Sequence, residues 1–157
     1  MELYLVQHGM ARSEAEDPSR GLSADGQRDV ERMAKFLAPL RLVLDRIEHS
    51  DKLRARQTAE ILAAHLCPAV GAQQVAGLAP TDDVEPVCAR LQQDSKNVML
   101  VGHLPHLSRL VSRLLGLDSN HVVVRFQMGG VVRLDRDETG QWTVRWVLPP
   151  EVLLATR

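Results

Sequence analysis

Three side chains far apart in the chain carry the chemistry that this sequence offers: His8, Arg54 and His103. His8 closes the apolar run Leu3-Tyr4-Leu5-Val6 and is followed by Gly9. A neutral imidazole is a good nucleophile toward phosphorus, and a glycine beside it leaves room for an anion to approach backbone N–H groups. Alone, His8-Gly9 reads as a turn histidine bonded to backbone. Arg54 falls in the first turn of a helix expected after Ser50-Asp51, where a guanidinium beside free N–H groups makes a phosphate site; position alone does not separate it from Arg56. His103 ends a second apolar run, Val98-Met99-Leu100-Val101, with Gly102 before it, so the opening pattern recurs in reversed order. Two imidazoles and a guanidinium around one small site suit phosphoryl transfer, which asks for cations and N–H donors on the equatorial oxygens and an in-line nucleophile. His8 attacks in this reading, and Arg54, His103 and backbone N–H groups hold the oxygens.

The elements that must bring them together are legible as alternating strands and helices. Strands are expected at the two apolar runs, at Arg46-Ile47-Glu48-His49, and over a short stretch at Gln73-Gln74-Val75-Ala76. Residues 10–21 form a polar loop carrying Arg12, Asp17 and Arg20, which starts at the site and has the length to close over a ligand; the plainer reading is a solvated connection. Ser23 caps a helix whose Val30, Met33, Ala34 and Leu37 keep core spacing until Pro39. In the next helix, capped by Ser50 or Asp51, Leu53, Ile61, Leu62 and Leu66 share an apolar face. Val84, Val87, Cys88 and Leu91 mark a third helix. Pro105 stands at the first helical position of a fourth, with Leu107, Leu110, Val111, Leu114 and Leu115 inward. Strands are then expected at Val122–Phe126, Val131–Leu134 and Trp142–Val147, the last two joined by a turn at Asp137–Gly140, with Trp142 and Trp146 on one face by parity. The fold class is α/β: three αβα layers around a mostly parallel sheet with an antiparallel C-terminal hairpin, as one domain over residues 1–157. The carboxyl ends of neighbouring parallel strands would then converge, as ligand sites in such sheets require.

Composition narrows the function. Nineteen basic and twenty acidic residues in 157 leave a net charge of −1, so no global field favours nucleic acid or an anionic membrane, and an anion site must be local. No basic leader with an apolar core opens the chain, and no apolar run approaches the ~20 residues of a membrane helix, which makes the expected location cytoplasmic. Cys67 and Cys88, both in expected helices, read as buried free thiols. His103 and His106 form H-x-x-H without a third ligand at compatible spacing, so no metal is expected and His106 is placed on a helix surface. His49, His65 and His121 read as structural or solvent-facing.

Four segments, in order, resemble the histidine phosphatase superfamily, the phosphoglycerate-mutase-like fold, and within it the short SixA-type protein phosphohistidine phosphatases. Leu5-Val6-Gln7-His8-Gly9 is similar to the family's Arg-His-Gly signature, and Asp17-Pro18-Ser19-Arg20-Gly21-Leu22-Ser23-Ala24-Asp25-Gly26 to its Arg-Pro-Leu-Thr-x-x-Gly segment. Ser50-Asp51-Lys52-Leu53-Arg54-Ala55-Arg56-Gln57-Thr58-Ala59 is similar to its Ser-Pro-x-x-Arg-Ala-x-Gln-Thr-Ala block, and Val101-Gly102-His103-Leu104-Pro105 to its second histidine motif. The resemblance implies that His8 is phosphorylated in turn, that Arg54 rather than Arg56 clamps the phosphate, that His103 is the second imidazole, that no metal or other cofactor takes part, and that a site without long helical insertions accepts a protein-borne phosphohistidine.

Two departures follow. Gln7 replaces the signature arginine, removing a cation that faces a dianion; loss of one transition-state donor typically costs about 10²–10³ in rate. Arg12, Arg20 and Arg125 are the candidates to replace it. Gly77-Leu78-Ala79-Pro80 occupies the region of the carboxylate general acid of larger relatives; Asp82, Asp83 and Glu85 lie nearby but read first as solvated or capping groups. A missing acid favours a phosphohistidine substrate, whose imidazole leaving group is readily protonated near neutral pH, over a phosphoserine alkoxide. The alternatives are a phospholigand-binding module with little turnover, and a phosphatase of a small phosphorylated metabolite.

Overall fold

The two most apolar runs become the two central strands of a six-stranded sheet, because only strands covered on both faces can bury every side chain. A computed structural model of the chain describes residues 1–154. In chain order the elements are β1 (Glu2–Gln7), α1 (Ala24–Leu37), a 3₁₀ turn (Ala38–Leu40), β2 (Arg46–His49), α2 (Leu53–Leu66), β3 (Ala72–Gln74), α3 (Glu85–Gln93), β4 (Val98–Gly102), α4 (His106–Leu114), β5 (Val131–Arg136), β6 (Trp142–Leu148) and a terminal turn of helix, α5 (Glu151–Leu154). The sheet order is β3-β2-β4-β1-β5-β6. β3, β2, β4 and β1 are parallel, with Leu5 opposite Leu100 and Gln7 opposite Gly102. β5 and β6 add an antiparallel edge. The expected α/β class, with its C-terminal hairpin, is the one observed.

Strand alternation divides the core. Leu3, Leu5 and Leu100 pack with Val87 and Leu91 of α3 and Leu107, Leu110 and Val111 of α4, while Tyr4, Val6, Ile47, Met99 and Val101 pack with Val30, Met33 and Leu37 of α1 and Leu62 of α2. The result is three layers. Ser23 caps α1 as expected, its hydroxyl accepting from Gly26 N at 3.0 Å. In α2 the fully inward stripe is Ala55, Thr58, Ala59 and Leu62; Leu53, Ile61 and Leu66 are only half-buried, since small residues let this helix lie close on the sheet.

Other expectations need correction. Residues 122–126 form no strand. Val124 and Phe126 bury their side chains against the α3/α4 face while Val122 and Val123 stay in water, so the apolar pattern is met by packing; both edges of β1 are already taken by β4 and β5. Trp142 and Trp146 lie on opposite faces of the sheet. A bulge inserts Arg145 between residues paired with Arg133 and Leu134, which flips the alternation: Trp142 joins the α3/α4 core and Trp146 packs on Tyr4, 6.0 Å between ring centroids. β3 begins and ends earlier than expected, and Pro105 is the cap residue of α4 rather than its first helical residue. Both cysteines are free, but Cys67 lies past the end of α2, left-handed and exposed.

One polar cluster ties this frame together. Glu48, on β2 and only 3% exposed, accepts from Arg90 of α3 at 2.7 and 3.0 Å and from Arg46 Nε at 2.6 Å, and Arg46 also pairs with Asp94.

Candidate active site

His8 is the first residue beyond β1, and its backbone N–H still donates to Gly102 O on β4 at 3.1 Å, so strand pairing fixes its position. Its ring Nδ1 lies 2.7 Å from Gly9 O. A carbonyl can only accept, so Nδ1 holds the proton and Nε2 carries the free lone pair. Burial pushes the His8 pKa below the ordinary value; the Gly9 carbonyl opposes that shift, and the charges of Arg54 and Arg20 reinforce it. At neutral pH the ring is therefore an uncharged base.

Gly9 is required for a different reason than anion approach. A Cβ there would stand 2.7 Å from Val30 Cγ2 and 3.1 Å from Leu22 Cδ2, because α1 packs directly against the turn. Its N–H already donates to Thr58 Oγ1 at 3.0 Å, and that hydroxyl donates to Arg54 O at 2.7 Å. Thr58 thus couples the His8 turn to the backbone carrying Arg54, a role that sequence reading missed.

β2 and β4 are neighbours, so their carboxyl ends bring Ser50 beside His103. Ser50 does not cap α2, whose cap residue is Lys52; its hydroxyl lies 2.6 Å from His103 Nε2 and accepts from Lys52 N at 3.3 Å. His103 Nδ1 is buried and has no hydrogen-bond partner. The His8 and His103 rings stand 4.9 Å apart between centroids, inclined at 51°. Burial foremost, then the charges around it, push the His103 pKa down to about 3. Ser50 was seen in the sequence only as a helix cap; the signal for its other role was adjacency of β2 and β4, a tertiary fact.

Arg54, in the first turn of α2, has a buried Nε with no hydrogen-bond partner, and its pKa is lowered by burial and then by the charge of Arg20, with Asp51 opposing. Arg56 is exposed and lies 3.7 Å from Glu60. Geometry therefore separates the two arginines. Gln7 has a buried Oε1 without a partner, while its backbone carbonyl accepts from Gly129 N at 2.8 Å. Among the three arginines considered as replacements for the missing cation, Arg20 is the one whose charge acts on both His8 and Arg54. It is held in the left-handed conformation, φ 48°, in a loop folded back on α2: Asp17 accepts from Ser19 and Gly21 N–H groups, and Leu22 N donates to Gln57 Oε1 at 2.7 Å. Arg125 is exposed on the 121–127 segment.

The nearby carboxylates have structural work. Asp82 accepts from Ala79 N at 2.9 Å, Asp83 from Glu85 N at 3.1 Å, and Glu85 pairs with Arg113 at 2.6 Å. His106 is not on a helix surface: it is fully buried, because position 106 shares the inward stripe of α4 with Leu107 and Leu110. Among the described residues, no group of three or more His, Cys, Asp or Glu side chains is arranged to hold a metal ion.

The sequence model of the histidine phosphatase superfamily (branch 1) matches residues 3–79, and phosphohistidine phosphatase SixA of Escherichia coli (strain K12) is 28% identical over 155 residues, 96% of this chain and 94% of that protein. This chain belongs to the histidine phosphatase superfamily. The superfamily match spans His8 and Arg54, and the similarity to SixA extends over the rest. The chain is also 36% identical over 144 residues to an uncharacterized protein of Picosynechococcus sp. (strain ATCC 27264 / PCC 7002 / PR-6), 85% of this chain and 84% of that one. The solved structure of the protein histidine phosphatase SixA complexed with tungstate superposes with a TM-score of 0.86 at 28% identity, covering 98% of this chain and 99% of that one. Among the described residues no helix is long and apolar enough to cross a membrane.

Proposed function

We propose that this histidine phosphatase superfamily member hydrolyses phosphohistidine on a protein partner through a phosphorylated His8. The observation that carries the reading is a set of buried polar atoms without protein partners, Arg54 Nε and His103 Nδ1, beside a histidine whose Nε2 lone pair is free. Unsatisfied buried donors cost about 1–3 kcal/mol each, and an oxyanion would repay that cost. The relatedness to SixA, a protein histidine phosphatase whose structure holds the oxyanion tungstate, supports the same choice.

In the first step His8 Nε2 attacks phosphorus in line, the P–N bond to the substrate imidazole breaks, and that imidazole leaves with a proton taken from water. In the second step water attacks phosphorus, the P–Nε2 bond breaks, and phosphate departs while the water proton passes to solvent. Arg54 and Arg20 offset the charge on the transferring group. For His103 Nδ1 to donate to a phosphoryl oxygen, Nε2 must accept from the Ser50 hydroxyl, which the Lys52 N–H in turn satisfies; the 2.6 Å contact fits that tautomer. Ser50 is thus a positioning residue. No carboxylate general acid is needed for an imidazole leaving group.

Exposure to a ³²P-labelled phosphohistidine protein should leave acid-labile label on the wild type and none on His8→Ala. Turnover without any label on the wild type would overturn the covalent step. The uncharged Gln7 favours a second reading, a phospholigand-binding module with little turnover. A large gain for Gln7→Arg would support it, and an unchanged rate in an active wild type would leave the missing charge to Arg20.

A further inference from the structure

The chain segments that carry His8, His103 and Gln7 each place a large apolar side chain in water at the same rim of the sheet. Met10 follows Gly9 and is 43% exposed; Leu104 follows His103 and is 40% exposed; Met128 forms a bridge with Gln7 and is 41% exposed. None is on frayed chain. Met10 O accepts from Ser23 N at 2.9 Å and from the Ser23 hydroxyl at 3.2 Å; Leu104 is clasped by the Leu107 N to His103 O bond of 2.9 Å; Met128 precedes the Gly129 N that donates to Gln7 O. One exposed apolar residue is ordinary, whereas several around one site on fixed backbone mark an interaction surface. Between the chain segments that carry these three lies the buried, unpartnered Nε of Arg54, and the charges of Arg54, Arg20 and Lys52 are felt at His8 or His103, so the electrostatic preference there is for an anion. The complementary surface is therefore an anion set in the middle of an apolar patch.

We propose that Met10, Leu104 and Met128 form a docking ring for a protein partner that presents its phosphohistidine from an apolar surface. This rests on the phosphohistidine phosphatase reading and narrows it. A sugar or nucleotide phosphate would press hydroxyls and polar ring edges against side chains that offer no hydrogen bond, losing water without compensation. Apolar neighbours of a phosphohistidine would instead be buried favourably, and two flexible thioethers let the ring conform to them.

The test uses the full chain with three probes: phosphoramidate, a peptide with phosphohistidine between leucines, and a peptide with phosphohistidine between serines. The wild type should prefer the leucine-flanked peptide by about tenfold in kcat/KM, the effect of a small interface hot spot. The triple variant Met10→Gln, Leu104→Gln, Met128→Gln should lose that preference through KM while cleaving phosphoramidate at the wild-type rate. Equal wild-type rates on the two peptides would overturn the docking ring, as would a preference that survives in the variant or a parallel fall in phosphoramidate cleavage. Inertness of the wild type toward all three probes, with sugar or nucleotide phosphates cleaved, would instead remove the phosphohistidine reading, and the ring with it.

Discussion

Glu48 and Ser50 stand almost side by side in the chain, yet they belong to two charged clusters finished in opposite ways. Around Glu48 the charges are matched: its carboxylate takes both Arg90 and Arg46, and Arg46 takes Asp94 as well. Burial works against the Arg46 charge, but the hydrogen bonds with Glu48 and Asp94 more than offset it and hold its pKa up. Around Ser50 the balance is left open. Arg54 has a buried, unpartnered Nε and a pKa pushed down by burial and by Arg20, and His103 has a buried, unpartnered Nδ1. The first cluster is complete within the protein; under the proposed function the second becomes complete with an anion. Charge alone marks neither as functional, and the difference lies in what is left unpaired.

Changes that exchange the roles of the two clusters test this contrast. The largest stability effect is expected from Glu48→Ala, about 3 kcal/mol by urea unfolding, at the low end for a broken buried pair because Arg90 is 37% exposed. Arg54→Gln should leave stability nearly unchanged or raised, while lowering kcat by about 10²–10³, the loss typical of a transition-state donor. A large destabilisation by Arg54→Gln would mean that its charge is paired in the free protein and would dissolve the contrast. Ser50→Ala should cost about tenfold in kcat, less than the roughly 10²–10⁴ of a group that itself transfers a proton because Ser50 acts only through His103, and should shift the pH profile; Ser50→Thr, which keeps the hydroxyl, should restore it.

The pH dependence of stability tests the same contrast outside the neutral range. His8 and His103 both have folded pKa values below 6.5, His103 at about 3, so the folded state binds fewer protons than the unfolded one on the acid side. Their contribution is fully present above 6.5 and is lost as pH falls from there toward 3. His103→Gln should flatten that part of a urea-unfolding series, and an unaltered slope would show that the ring is not held neutral by burial. Inorganic phosphate should stabilise the wild type more than Arg54→Gln.

The fold was legible because its central strands are continuous apolar runs and α1 carries both cap and stripe. Trp146 was misplaced because one bulge at Arg145 inverts a parity that sequence assumes unbroken. Residues 122–126 look like a strand because Val124 and Phe126 alternate inward, but a ladder also needs a free neighbour, which β1 does not have. In the candidate site, His8 and His103 stand out in the sequence by type and by their place after apolar strands, whereas the choice of Arg54 over Arg56 comes from the family resemblance, since position alone leaves both open. Ser50 and Thr58 do not stand out, since their roles depend on which strands are adjacent and on which carbonyl a hydroxyl reaches. His106 was misjudged for want of its helix phase, which Leu110 fixes.

The central claim is that three chain-distant side chains enclose one phosphoryl group, with His8 Nε2 in line with phosphorus. A crystal structure with bound vanadate tests it most directly. The expected result is vanadium bonded to His8 Nε2, with Arg54 and His103 Nδ1 on its oxygens and Ser50 still on Nε2 of His103. Vanadate seated elsewhere, or bonded at His8 with Arg54 and His103 both turned away from it, would contradict the account.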